Sequence, residues 1–209
     1  FNDFEKDVDK LLSLESHHIS VYSLILEEES PLYDMTKKGD IKLVSDETDR
    51  NYYHYLIDTL DKYGYKQYEI SNFAKSGYES KHNLKYWDLD YYIGLGLGSS
   101  SFFNSQRYSN ESSFDNYINS IDKGNLPWIN IEEINYDNLK IDYVLMRLRL
   151  KLGIDRYEYK TIFGIDIYEE YKELIDSFIV NGNMVLDDDR LAFTSQGFDI
   201  SNQFFLEII

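Results

Sequence analysis

Apolar side chains recur at helical spacing, then crowd into a short run, then recur at helical spacing again, and this alternation sets the first expectation. In "FNDFEKDVDKLLS", Phe4, Val8, Leu11 and Leu12 fall on one stripe with acids and lysines between them, the pattern of an amphipathic helix. The apolar, β-branched "ISVYSLIL" that follows reads as a strand buried on one face or on both. After a turn at Ser30-Pro31 the theme repeats in "VSDETDRNYYHYLIDTLDKYGYKQYEISNF". Ser45 is placed to cap a helix, Tyr52, Tyr53, Leu56, Ile57 and Leu60 form its stripe, Gly64 ends it, and "KQYEIS" is the next strand. Helix, strand, helix, strand is the rhythm of a parallel α/β sheet, in which ligands sit beyond the C-terminal strand ends, here near residues 25–29 and 69–72.

From Tyr91 the pattern changes. "YYIGLGLGSSSFF" reads as two short strands about a glycine kink and "FDNYINSIDKG" as a short helix. "NLPWINIEEINYDN", carrying Pro127, reads as a linker, dividing the chain into residues 1–125 and 126–209. Beyond it, Leu139, Tyr143, Met146 and Leu150 lie near one stripe with Val144, Leu145 and Leu148 beside them, so this helix is largely buried. Helices near 156–163 and 167–180 follow, then a hairpin turning on Asp188-Asp189, then "SQGFDISNQFFLEII" as a last helix capped by Thr194 or Ser195. Three helices, a hairpin and a helix resemble a winged-helix arrangement.

Composition narrows the function classes. Hydrophobic residues make up 43% of the 209, above the disordered range, and no apolar run approaches the roughly 18 residues of a membrane span. A soluble globular protein is expected, in one large or two small domains. The 38 acidic against 21 basic side chains leave a net charge of −17, which repels phosphate backbones. The wing and last helix, residues 184–209, carry one arginine and no lysine among five acids, so nucleic acid is not an expected partner. With no cysteine there is no disulfide, thiolate zinc site, thiol nucleophile or cysteine-held cluster. No leader pattern opens the chain, which makes the cytoplasm the default location, and a first residue Phe1 within a helical pattern suggests a piece of a longer protein.

Two stretches carry candidate chemistry. Gly94, Gly96 and Gly98 lack the last glycine of a dinucleotide fingerprint, since Ser99 stands there, and no helix follows. They fit either a bulged strand needing close backbone approach or a loop bordering a cofactor. In "HNLKYW", a local helix would put His82, Tyr86 and Trp87 on one side at i, i+4 and i+5, an imidazole beside two ring faces. That set suits a porphyrin, whose iron takes imidazole and whose ring wants apolar contact; it equally suits a histidine at the edge of an aromatic core. His17, His18 and His54 show no partner spacing and read as structural or surface residues.

The segments "HISVYSLILEEESPLY", "YGYKQYEISNFAKSGYESKHNLKYW", "YIGLGLGSSSF" and "LMRLRLKLGID", in this order, resemble the C-terminal part of the radical-SAM family of oxygen-independent coproporphyrinogen III oxidases. Within it they are most similar to the HemW-like heme-chaperone branch, whose HNxxYW motif "HNLKYW" fits. The resemblance implies an α/β fold (α+β overall), the remnant of a partial TIM barrel plus a helical, winged-helix-like C-terminal domain. It implies heme held by His82 as iron ligand, with Asn83, Tyr86 and Trp87 completing the motif, and heme-accepting proteins as partners. It also implies S-adenosylmethionine (SAM) and a [4Fe-4S] cluster in the full-length parent, the cluster on cysteines N-terminal to this chain. Ile25, Gly96 and Ser100 fall at positions bordering SAM. The branch commonly reads "GLGPGAHSF" where "GLGLGSSSF" stands, so Ser100 replaces a histidine, and it commonly has Cys-Arg where Ser80-Lys81 stand. The expected function is therefore heme binding and delivery. The alternative is a parent that decarboxylates coproporphyrinogen propionates, and in either case this chain alone is expected to lack radical activity. An opened barrel also leaves strand edges that a second copy could pair with as a homodimer, or that could leave the piece without any ligand.

Overall fold

The computed structural model describes residues 2–209. Helix α1 (Asn2–Ser13) runs into a short strand β1 (His18–Ser20), and two more helices follow, α2 (Pro31–Lys38) and α3 (Asp46–Lys62). Helix α2 stands where the sequence suggests only a turn. Its signals are local: the Ser30 side chain accepts from the Tyr33 amide at 3.2 Å, Pro31 opens the first turn, and Gly39 closes it at φ +83°. Ser45 caps α3 as its spacing predicts, accepting from the Thr48 amide. Val8, Leu56 and Leu60 from the helices bury themselves against Ile19, Tyr65 and Phe73, giving this half of the chain its own core.

Strands β2 (Lys66–Glu69) and β3 (Asn72–Ala74) correct the parallel-sheet expectation, because the sheet order is β1-β3-β2 and both pairings are antiparallel. Only Ile70 and Ser71 separate the two strands, far short of the dozen or more residues a parallel crossover needs, so they close as a hairpin with β3 in the middle. The strand expected over "ISVYSLIL" is also shorter. Its last backbone bond joins the Val21 amide to the Ser71 carbonyl at 2.8 Å, after which Tyr22, Leu24 and Ile25 are 70%, 62% and 78% exposed. β1 is an edge strand, and among the described residues no strand pairs with the chain beyond it, where Ser23 is tied by hydrogen bonds to Asp49 and Arg50 of α3.

Helix α4 (Lys81–Trp87) precedes a second antiparallel sheet formed by β4 (Ser100–Phe103), β5 (Gln106–Asn110) and, after helix α5 (Phe114–Asp122), β6 (Trp128–Glu133), in the order β4-β5-β6. The stretch read as a linker thus contains a strand, registered from Asn110↔Trp128 to Gln106↔Glu133. Of the two strands expected about the glycines, the first is reduced to one bridge between Tyr92 and Phe102. The chain between them turns at Gly96 and Gly98, both at positive φ.

The remaining chain builds α6 (Tyr136–Arg147), β7 (Ile154–Asp155), α7 (Arg156–Phe163), α8 (Ile167–Glu170), α9 (Lys172–Val180), the hairpin β8 (Met184–Leu186) and β9 (Arg190–Phe193), α10 (Ser195–Asp199) and α11 (Ser201–Ile208). Strand β7 adds to the hairpin, giving the order β7-β9-β8. Two helices expected to be continuous are broken, at Tyr171 and Ile200, where φ falls to −116° and −118°. A second core of Tyr159, Ile154, Ile175, Phe193 and Phe204 fills this half, and Ile70 and Leu89 from the first half pack against it. Asp199 ties the halves further, accepting from Arg50 at 3.2 Å and lying 2.6 Å from His54. Among the described residues no helix is long and apolar enough to cross a membrane.

Candidate functional site

Helix α4 carries the HNxxYW segment and is only seven residues long, too short to persist without support. The Ser80 side chain caps it by accepting from the Asn83 amide at 3.2 Å. Tyr68 of β2 holds the cap in turn: its hydroxyl accepts from the Ser80 amide at 3.3 Å and lies 2.8 Å from His18 Nε2. His18, which reads as unpartnered from spacing, therefore belongs to the support of the site. At the other end Asp88 pairs with Arg147 of α6. Leu84 and Asp88 line one side of a cavity of about 500 Å³ between the two halves, which Leu150 and Gly153 close from the other side.

The outward side bears the candidate ligand. His82 is exposed, and its Nε2 lies 3.0 Å from the Tyr86 hydroxyl with the two rings perpendicular at 5.0 Å. Tyr86 meets Tyr92 edge-on at 4.7 Å, so an imidazole and two phenol rings run in series along the surface. Trp87 does not join them. At i+5 it sits about 140° around the helix from His82, and it faces Arg149, whose guanidinium lies 5.8 Å from its ring. Its indole nitrogen is buried with no acceptor among the described residues. Asn83 is half-buried in the first turn, its amide committed to the cap.

Such an arrangement can offer one nitrogen to a metal and a flat apolar wall to a planar ligand. Nε2 is engaged by Tyr86, so an incoming metal meets Nδ1, or Nε2 once the hydroxyl withdraws. His82 thus fits single imidazole ligation of an iron whose other ligands come from a macrocycle. Among the described residues no group of three or more metal-ligating side chains clusters, and the chain has no thiolate for an iron–sulfur cluster, which does not fit here.

The glycine stretch is organised by Asn110, a buried side chain whose amide nitrogen donates to Gly96 O at 2.9 Å, Gly94 O at 3.4 Å and Ser99 Oγ at 3.0 Å. Gly94 needs to be bare: a Cβ there would stand 2.3 Å from the Ser100 carbonyl. Close backbone approach accounts for these residues, and the Gly96 carbonyl is spent within the loop. Ser100 is exposed with its hydroxyl 3.4 Å from that of Ser109. Ile25 follows β1 in the other sheet, so these three SAM candidates come from separate parts of the fold.

Two features escape sequence reasoning, the burial of Glu69 and the partner of Arg107. Glu69 ends β2 at 1% exposure, and burial pushes its carboxyl above the usual range despite the amide of Ser71 donating to it at 3.0 Å. A single acid inside the apolar "YEIS" was its only signal. Arg107 of β5 reaches Asp142 of α6 at 2.6 Å, a contact no local pattern announces.

The comparisons with known proteins follow the same lines. No family model matches the chain. It is 32% identical over 201 residues to heme chaperone HemW of Lactococcus lactis, covering 96% of this chain and 52% of that protein. It is 29% identical to heme chaperone HemW of Bacillus subtilis, covering 96% of this chain and 53% of that one. Coproporphyrinogen III oxidase (HemN) from Escherichia coli, a radical-SAM enzyme, superposes with a TM-score of 0.73 at 14% identity, over 98% of this chain and 50% of that one, and so shares the fold. The mixed helix and sheet, with no closed barrel among the described residues, is the fold shared with that enzyme, and the sequence match to the HemW relatives, with an intact HNxxYW helix, makes this a chain of the radical-SAM coproporphyrinogen oxidase family. Within that family it belongs with the HemW-like proteins and matches their C-terminal portion. The chain spans about half the length of the curated relatives it matches.

Proposed function

We propose that this chain binds heme through His82 on α4, and that in the whole protein it passes heme to acceptor proteins. The observation that carries the proposal is the exposed His82 imidazole in series with the Tyr86 and Tyr92 rings on a helix held from both ends. Heme iron takes one imidazole, and its macrocycle takes flat apolar contact. His82 supplies the first. Tyr86 and Tyr92 supply the second, and Asn83 and Trp87 fix the helix on which both depend. The cluster and the SAM cleaved on it belong, on this reading, to the N-terminal portion that relatives carry, with Ile25, Gly96 and Ser100 reaching SAM from separate parts of this fold. The division into residues 1–125 and 126–209 is proposed on the two separate cores, with β6, at the start of the second unit, completing the sheet of the first.

A hemin titration followed by the Soret band tests the proposal on the parent chain and on His82→Ala. Saturable binding that weakens at least about tenfold in the variant supports it, the scale expected for one lost metal–ligand bond. Equal binding by both proteins overturns it. On the full-length protein, retention of heme without consumption of coproporphyrinogen separates a chaperone from an oxidase.

A further inference from the structure

Beside the outward face of α4 lies a second, smaller cavity of about 190 Å³, walled by Tyr86, Tyr92, Phe102 and Met146, with Arg107 and Asp142 at its side. It shares Tyr86 with the His82 contact, so the imidazole and this cavity adjoin through one side chain. Arg107 is 37% exposed along its side chain and lies 5.8 Å over the Phe102 ring. Its only side-chain hydrogen bond among the described residues runs from Nη2 to one oxygen of Asp142. A guanidinium has five N–H donors in a planar fork, so the edge not facing Asp142 is free for a second carboxylate.

Resting on the heme reading above, we propose that Arg107 anchors a propionate carboxylate of the porphyrin bound at His82, so that the site selects a tetrapyrrole bearing free acids over its uncharged esters. Asp142 is the competitor in this scheme. It holds the guanidinium from α6 at 13% exposure, and Glu132 adds a further negative charge nearby, so the ligand carboxylate must share Arg107 with an acid already in place. The anchor therefore contributes a modest increment, and the contribution rises when Asp142 loses its charge.

The test compares hemin with hemin dimethyl ester by Soret titration on the parent chain, Arg107→Gln, Asp142→Asn and His82→Ala. Expected are about tenfold tighter binding of hemin than of its ester by the parent and loss of that preference in Arg107→Gln with ester affinity unchanged, the scale of one charge-assisted pair. Asp142→Asn should bind hemin several-fold tighter, a gain that damage to the fold cannot produce and that keeps the proposal testable if Arg107→Gln unfolds. Equal binding of acid and ester by the parent, equal weakening of both by Arg107→Gln, or no gain in Asp142→Asn overturns the anchor. Loss of hemin binding in His82→Ala together with any of those results sinks the anchor while leaving the heme reading standing, whereas binding untouched in His82→Ala sinks both.

Discussion

The Nε2 atom of His82 lies 3.0 Å from the hydroxyl of Tyr86, one helical turn further along α4. The residue that offers the ring face is therefore also the residue that occupies one of the two nitrogens a metal could take. Tyr86→Phe keeps the wall and frees the nitrogen, sparing a ligand the loss of one hydrogen bond worth about 1 kcal/mol. Hemin affinity should rise about fivefold in a Soret titration. A fall would mean that the hydroxyl supports the ligated imidazole instead of competing with iron.

The helix itself depends on a chain of contacts that runs from His18 through Tyr68 to Ser80. Ser80→Ala removes the cap and should cost about 1 kcal/mol, seen as about fivefold faster amide hydrogen exchange at Asn83. Tyr68→Phe should quicken the same amide, because Ser80 N loses its acceptor. Unchanged exchange in both variants would show that packing of Leu84 and Trp87 alone keeps α4 formed.

Glu69 offers a test with a defined pH sign. Burial raises its folded pKa above the ordinary 4.5, so its contribution to stability is full below that value and is lost as pH climbs through the raised one. Glu69→Gln keeps an oxygen to accept from the Ser71 amide and has no charge to bury. The variant should unfold at a higher temperature than the parent at neutral pH, and the gap should close as pH falls below 4.5. A gap independent of pH would count against burial of an ionised carboxylate at this position.

The two glycines of the loop should respond differently to a methyl group. Gly94→Ala drives a Cβ into the Ser100 carbonyl, forcing the backbone apart where Tyr92 bridges Phe102, at a cost of about 1–3 kcal/mol. Gly96→Ala meets open space and carries only the strain of φ +94°, about 1 kcal/mol. Thermal unfolding of the pair decides the matter, and equal losses would contradict the close approach at Gly94.

Much of the site's local structure is visible in the chain. Ser45 and Gly64 bracket α3 as their residue types demand, and "HNLKYW" forms the helix on which its chemistry depends. Its orientation is not visible. Trp87 turns away from His82 because five residues overshoot one turn by more than a third of a circle, and what it meets there, Arg149, is distant in sequence. Arg107 shows no partner in the sequence until α6 brings Asp142 beside it and β4 sets Phe102 beneath it.

What the sequence determined by itself is everything whose signal repeats within a turn or two: most helices and their caps, the wing hairpin, the acidic balance that disfavours phosphate, and a histidine placed one turn from a tyrosine. What the tertiary structure decided is every pairing that needs distant partners. β3 pairs with β2 because a two-residue connection can close only a hairpin, β1 takes the other edge of β3 from far away in sequence, and β6 joins a sheet although its sequence reads as a linker. Tyr68, His18 and Arg107 acquire their roles only there. Periodicity encodes which face of an element is apolar, but the identity of the surface that covers that face is fixed by loop closure and packing across the chain.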